Sequence, residues 1–148
     1  MANAYIGSHP SHGYTVVEKI DSNKQLAWSD SGKLFMCHQQ SGSNVLVNLP
    51  KLSSEIAGWS AKFVLAAVGD EFLVASYGGT TSAAGTDAES VLFLEIGHTP
   101  TSNDSCEGAT FTATATRVGS MMEIFSDGTY WYLLGTGTLA AELAVEDN

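Results

Sequence analysis

The residues of this chain that could bind a metal ion are its four histidines and two cysteines. His9 and His12 lie close together, Cys37 and His38 are adjacent, and His98 is distant in sequence. Zinc requires converging nitrogen and sulfur ligands, usually from characteristically spaced pairs. The spacing here matches no established zinc pattern, and an extended strand would place Cys37 and His38 on opposite faces. We therefore expect ordinary surface or interface histidines and no metal site.

Carboxylates in turns and loops are the second group that could do chemistry, because calcium is bound by such oxygens. Calcium needs six to eight oxygen ligands from a converging loop, and the chain has no D-x-D-x-D-G run. Asp127 is accounted for by its turn. We expect no bound calcium and no cofactor at these positions: Asp87, Glu89, Asp104, Glu107 and Asp127.

Catalytic signatures are missing from the sequence. It contains no nucleophile elbow, P-loop or dinucleotide-binding fingerprint, and the G-x-G run Gly135–Gly137 follows the last predicted strand of the β domain. Tyr130, Trp131 and Tyr132 could stack on a sugar or a base, but aromatic residues in such a strand more often pack in a core or a subunit interface. We expect a protein that is not an enzyme, with these three residues in core or subunit packing.

The strongest structural signal is a hairpin over Met121–Gly135. Two β-prone runs flank Ser126-Asp127-Gly128-Thr129, and Asp-Gly between such runs is typical of a type I′ turn, in which both central residues have φ > 0. The return strand Tyr130–Leu134 is bulky on both faces, which predicts packing on both sides.

The rest of the pattern consists of short β-prone runs separated by turn residues, which favours an all-β fold. Trp59–Val68 and Glu71–Tyr77 are expected to form a hairpin through Gly69-Asp70, and Thr110–Val118 alternates like a half-buried strand. Lys51–Ala57 is expected to form a helical turn capped by Ser53 or Ser54. The predicted architecture is a single-domain antiparallel β-sandwich or barrel. Further strands are expected over Tyr14–Ile20, Gln25–Trp28, Lys33–Gln39, Asn44–Leu49 and Glu89–Ile96.

At 148 residues the chain is expected to form one domain. We divide it into an irregular N-terminal arm (1–13), a β domain (14–135) and a C-terminal tail (136–148) that is either a short helix or an extended arm. The start has neither a basic segment nor an apolar run, so no secretory signal is expected. Cys37 and Cys106 could form a disulfide, but two reduced cysteines in a protein assembled in the cytoplasm is the preferred interpretation.

The net charge of −10 is unevenly distributed. Residues 1–62 contain five of the six basic and four of the sixteen acidic residues, whereas residues 63–148 contain Arg117 and twelve acids. Such a surface repels nucleic acid and anionic membranes, so neither is an expected partner. The longest purely apolar run, Phe63–Val68, is far too short to span a membrane.

Two segments carry a resemblance to a known class of protein. Residues 122–135, MEIFSDGTYWYLLG, resemble the C-terminal hairpin of small all-β virion proteins of tailed bacteriophages. Val45–Lys51, followed by a serine-rich turn, Gly58 and Ala61–Ala67, is similar to a second segment of those proteins. The hairpin motif is shared by capsid decoration (cement) proteins, tail-fibre modules and other virion proteins, and this class has no catalytic residues to transfer.

The resemblance implies a virion structural protein, assembled in the host cytoplasm and placed on the capsid surface. As a decoration protein it would be a homotrimer that binds the major capsid protein. The expected capsid contacts in the N-terminal arm are Tyr5, Ile6, His9 and Tyr14.

Two alternatives stay open. A tail-fibre or receptor-binding module would use the long loops Gly78–Ala88 and Gly97–Gly108 to bind a host. A lectin or carbohydrate-active enzyme on a β-sandwich is the third hypothesis.

Overall fold

The computed structural model describes residues 16–78, 91–95, 108–112, 117–136 and 143–146. These ranges are mostly β, and no helix in them reaches seven residues. Their helices are two 3₁₀ turns, Trp28–Asp30 and Ser54–Ile56, and neither is long and apolar enough to cross a membrane. The predicted helical turn is thus a 3₁₀ turn. Ser53 occupies its N-cap position without a capping hydrogen bond from its side chain.

The strands of the described ranges form two sheets. In chain order they are β1 (Val17–Ile20), β2 (Lys24–Gln25), β3 (Leu34–His38), β4 (Val45–Asn48), β5 (Ser60–Ala67), β6 (Phe72–Ala75), β7 (Val91–Glu95), β8 (Gly108–Phe111), β9 (Met121–Ser126), β10 (Trp131–Thr136) and β11 (Leu143–Glu146). The first sheet has the order β1-β3-β5-β9-β10-β7, and the second has the order β11-β8-β6-β4-β2.

Both sheets are mixed, so the prediction of antiparallel sheets is wrong. The chain alternates between the sheets from β1 to β6: β1, β3 and β5 are parallel neighbours in the first sheet, and β2, β4 and β6 in the second. Parallel neighbours need a crossover connection, and here a strand of the other sheet lies within each crossover. The antiparallel pairs are β5–β9, β9–β10, β6–β8 and β8–β11.

The predicted hairpin through Gly69-Asp70 is also wrong, because β5 and β6 belong to different sheets. The chain crosses between the sheets here, held by hydrogen bonds from Gly69 N to Gln39 Oε1 (2.9 Å) and from Asp70 N to Gln40 O (2.8 Å). A Cβ added at Gly69 would lie 2.8 Å from the Gln40 carbonyl oxygen. Glycine is therefore required by a close backbone approach at a crossing, not by a hairpin turn.

One hydrophobic core joins side chains from both sheets. Phe35 and Phe63 stack in the first sheet with ring centroids 5.2 Å apart, and Phe72 packs against Phe111 in the second. Trp131 is fully buried and meets Trp59 edge to face at 5.2 Å. Aromatic pairs with such geometry contribute beyond the area that they bury.

The second sheet is also buried on the face away from this core. Leu46, Leu73 and Ala75 form a separate buried cluster there, and Thr110, the register partner of Leu73, is 1% exposed. The prediction of a half-buried strand over Thr110–Val118 is therefore wrong, because β8 ends at Phe111 and is buried on both faces; residues 113–116 lie outside the described residues.

The hairpin of β9 and β10 is confirmed, but its turn differs from the prediction. Trp131 pairs with Ser126, so residues 127–130 form a four-residue connection and not a two-residue type I′ turn. Gly128 has φ = 92°, and a Cβ there would lie 3.0 Å from the Ser53 carbonyl oxygen. The tip of the hairpin thus packs against the second 3₁₀ turn, a tertiary contact that local turn rules do not include.

The structure describes part of the predicted C-terminal tail but none of the predicted N-terminal arm. Residues 1–13 lie outside the described residues. The range 136–148 contains β11, which pairs antiparallel with β8 at the edge of the second sheet. Of the two long loops, only Gly78 and Gly108 at their ends are described.

Candidate functional site

The outward surface of the first sheet carries a continuous set of half-buried apolar side chains. Burial alternates along β3, β9 and β10, so every second residue points away from the core. Register places Met36 beside Val64, and Val64 beside Met121. We call this surface the outer apolar face and define it by Leu34, Met36, Val64, Met121, Phe125 and Leu134.

One ion pair lies at the centre of the outer apolar face, where register places it between Leu34 and Leu134. Lys62 and Glu123 pair there, with Nζ and Oε2 3.5 Å apart and both side chains well exposed. Exposed ion pairs of this kind contribute little to stability. The surface is therefore mainly apolar, in a chain whose net charge is −10.

One corner of the outer apolar face is fixed by the hairpin loop. Phe125 stacks on Tyr132 with ring centroids 5.2 Å apart and 14° between the planes. Asp127 Oδ1 accepts hydrogen bonds from the N–H groups of Thr129 and Tyr130, both at 2.8 Å, and Oδ2 accepts one from the Tyr132 hydroxyl at 2.7 Å. These bonds lower the pKa of Asp127, the largest effect coming from the Tyr130 N–H, and the bond to Asp127 raises the pKa of Tyr132.

An open cleft of about 190 Å³ lies beside the two 3₁₀ turns. Its lining includes Trp28, which is 55% exposed, the exposed Glu55, and the buried residues Ile56 and Trp59. Trp59 Nε1 donates to the Ala27 carbonyl oxygen at 3.2 Å, which ties the base of the cleft to the first 3₁₀ turn. We call this site the Trp28 cleft. Its other lining residues are Ser31, Ala57 and Gly58.

A charge network holds the first 3₁₀ turn behind the Trp28 cleft. Asp30 is buried and accepts hydrogen bonds from Ala27 N at 2.8 Å and from Lys33 Nζ at 2.5 Å. Glu18 accepts bonds from Lys33 and from Lys24. Burial alone would raise the pKa of Asp30, but the bonds from Lys33 and Ala27 outweigh it and lower that pKa. The bonds from Lys24 and Lys33 lower the pKa of Glu18.

The residues considered for chemistry are not brought together by the described structure. Cys37 is a buried free thiol whose pKa is raised by burial, which makes it a poor nucleophile. No group of three or more potential metal ligands occurs within the described part of the chain. His9, His12, His98 and Cys106 lie outside the described residues.

The three aromatic residues of the closing strand have different environments. Trp131 is fully buried in the core, Tyr132 is half-buried on the outward surface, and Tyr130 is 44% exposed. The expected capsid contacts Tyr5, Ile6, His9 and Tyr14 lie outside the described residues.

The outer apolar face and the Trp28 cleft were not predicted from the sequence. The available signals were the apolar residues at outward as well as inward positions of β3 and β9, and the isolated tryptophan just before a Ser-Asp-Ser-Gly turn.

Comparison with known proteins adds no relative: no protein-family model matches this chain, and neither the curated proteins nor the solved structures include a match.

Proposed function

We propose that this chain is a non-enzymatic virion structural protein, a capsid decoration (cement) protein that binds the major capsid protein and stabilises the shell. The observation that carries the proposal is the outer apolar face. An exposed apolar surface with few charges is typical of a protein contact. The hairpin resemblance supports the same assignment. In this proposal the two sheets form a sandwich, an arrangement supported by the core that they share.

The area of the outer apolar face limits how much contact surface one copy of the protein can contribute to binding the shell. The four strands that carry the outer apolar face, spaced about 4.8 Å apart and each with about five residues rising 3.3 Å, cover roughly 300 Å². A standard stable interface buries about 800 Å² on each partner. One face therefore gives less than half of a stable contact. A homotrimer would present three such faces at once, and avidity would raise the total affinity without a new kind of contact.

A substitution on the outer apolar face tests this proposal. Val64→Lys places a charge between Met36 and Met121, in the apolar row that these three residues form across β3, β5 and β9. The matched control is Val118→Lys, because Val118 is 63% exposed and lies in a turn outside the face. Shells that lack the protein are complemented with each variant, and their resistance to heat is measured. Val118→Lys should restore resistance and Val64→Lys should not. Shells that are equally heat-resistant without the protein would overturn the proposal.

The Trp28 cleft favours a second candidate, a tail-fibre or receptor-binding module of a virion. Its lining combines aromatic and aliphatic side chains with one charged group, the composition that ligand sites generally have. Copy number separates the two candidates, because a decoration protein occurs in hundreds of copies per particle, whereas a tail component occurs in a few tens or fewer.

A further inference from the structure

The backbone at Trp28 is held in a fixed position, and the indole that it carries is 55% exposed. Its 3₁₀ turn is closed by Asp30 N to Ala27 O (3.1 Å) and Ser31 N to Trp28 O (3.1 Å). The Asp30 carboxylate, itself bound by Lys33, accepts the Ala27 N–H from below. An exposed tryptophan on a fixed backbone presents an aromatic face at a defined place, and fixed geometry lowers the entropy cost of capturing a ligand.

Electrostatics decide which ligand the Trp28 cleft would take. Among the described residues that line it, Glu55 is the only ionisable one. Within the described part of the chain Glu55 has neither an ion pair nor a side-chain hydrogen bond, whereas Glu18, Asp21, Asp30 and Glu123 are each paired with a lysine. The cleft thus offers an aromatic face and an unpaired negative charge, in a chain of net charge −10.

The hydrogen-bonding groups of the Trp28 cleft also bear on which class of ligand it would take. The backbone N–H groups of Ile56, Gly58 and Trp59 all donate to carbonyl oxygens within the protein. Trp59 Nε1 donates to Ala27 O, and Ser31 Oγ accepts the N–H of Ser60. The Ser31 hydroxyl keeps its own O–H as a donor, and the carboxylate of Glu55 remains as a charged acceptor. A sugar presents hydroxyls that both donate and accept, whereas guanidinium and ammonium groups only donate.

We propose that the Trp28 cleft binds a cationic group, a guanidinium or ammonium, which lies on the indole of Trp28 and forms an ion pair with Glu55. The cation–π attraction and the charge pair act on the same group. The source would be a basic side chain of a partner protein or a free polyamine. The site stands on its own geometry, so it is tested with the isolated protein and does not depend on a place in the virion.

The test is a titration followed by the indole N–H signals of the three tryptophans in ¹H–¹⁵N NMR at constant ionic strength. N-acetyl-arginine amide is compared with N-acetyl-citrulline amide, a neutral analogue of nearly the same shape. The Trp28 signal, assigned by its loss in Trp28→Ala, should shift saturably with the arginine compound. It should shift at least threefold less with the citrulline compound at equal concentration. Glu55→Gln should weaken arginine binding about two- to fivefold, which is the range for one exposed ion pair.

Asp21→Asn is the matched control, since it removes the same charge from an exposed carboxylate that does not line the cleft. It should leave arginine binding unchanged. Butane-1,4-diamine distinguishes the sources: tighter binding of the arginine compound indicates a side chain, and tighter binding of the diamine indicates a free polyamine. Equal shifts with arginine and citrulline, an unchanged affinity in Glu55→Gln, or a Trp28 shift with glucose or galactose at lower concentration would overturn the proposal.

Discussion

Replacement of Asp30 by asparagine should destabilise the fold, because this carboxylate connects the first 3₁₀ turn to the edge of the first sheet. Asp30 is 6% exposed and accepts two hydrogen bonds, one from Ala27 N and one from Lys33 Nζ. Lys33 also binds Glu18 at 2.8 Å, so the lysine keeps one partner after the substitution. Asp30→Asn therefore removes the charge-assisted bond with Lys33 and weakens the bond from Ala27 N.

The expected magnitude follows from these two bonds. A hydrogen bond to a charged group contributes roughly 1.5–3 kcal/mol. Asparagine retains a neutral acceptor for Ala27 N, and Lys33 is 23% exposed and keeps Glu18. We therefore expect Asp30→Asn to reduce the free energy of unfolding by about 1–2 kcal/mol and Asp30→Ala by about 2–4 kcal/mol.

The effect should depend on pH in one direction. The folded-state pKa of Asp30 lies below its ordinary value of 3.8, so the unfolded chain binds the proton more readily. The stabilisation by Asp30 is then fully present above about pH 4 and is lost as the pH falls through the folded-state pKa. Glu18 is present in both proteins, so the difference between wild type and Asp30→Asn reports Asp30.

Equilibrium unfolding in urea, followed by tryptophan fluorescence at pH 7 and at stepwise lower pH, measures both effects. Asp21→Asn is the control, because Asp21 and Lys19 are both well exposed and the same chemical change there should leave the midpoint unchanged. If Asp30→Asn is no less stable than Asp21→Asn, or if the difference from wild type does not shrink in acid, the role given to Asp30 is wrong.

Three further predictions concern packing and the hairpin loop. Gly108→Ala should cost roughly 1–3 kcal/mol in urea unfolding, because a Cβ there would lie 2.7 Å from the Val74 carbonyl oxygen; unchanged stability would contradict this contact. Trp131→Ala should cost about 3–5 kcal/mol, whereas Tyr130→Ala on the exposed side should stay within about 0.5 kcal/mol; similar losses would contradict the assigned burial. Tyr132 should titrate above its ordinary value in ultraviolet absorbance because of its bond to Asp127, and Asp127→Asn should lower that pKa; an unchanged titration would exclude the bond.

Local patterns in the sequence predict the β class and the hairpin of β9 and β10. Asp127-Gly128 predicts where the chain reverses. The prediction of packing on both faces of the return strand is wrong, because burial alternates along it: Trp131 and Leu133 are fully buried, whereas Tyr132 and Leu134 are only partly buried. The turn type could not be predicted in the same way. Gly128 packs against the Ser53 carbonyl, and this tertiary contact fixes the loop as much as its own residues do.

Strand pairing could not be read from the sequence, because it depends on which sheet each strand joins. A glycine-aspartate pair between β5 and β6 has the composition of a hairpin turn, yet here it crosses between sheets, with Gly69 pressed against Gln40. The parallel pairs of β1, β3 and β5 involve crossovers that local turn chemistry does not encode. The outer apolar face could not be predicted for the same reason, since the pairing of β3, β5, β9 and β10 brings its residues together.

The most direct test of the proposed function is the copy number of this protein per particle. Quantitative mass spectrometry of purified virions gives it as a ratio to the major capsid protein. A decoration protein that occupies the shell lattice predicts a ratio near one to one or a simple fraction of it. A ratio about a hundredfold lower, or absence from the particle, would contradict the account.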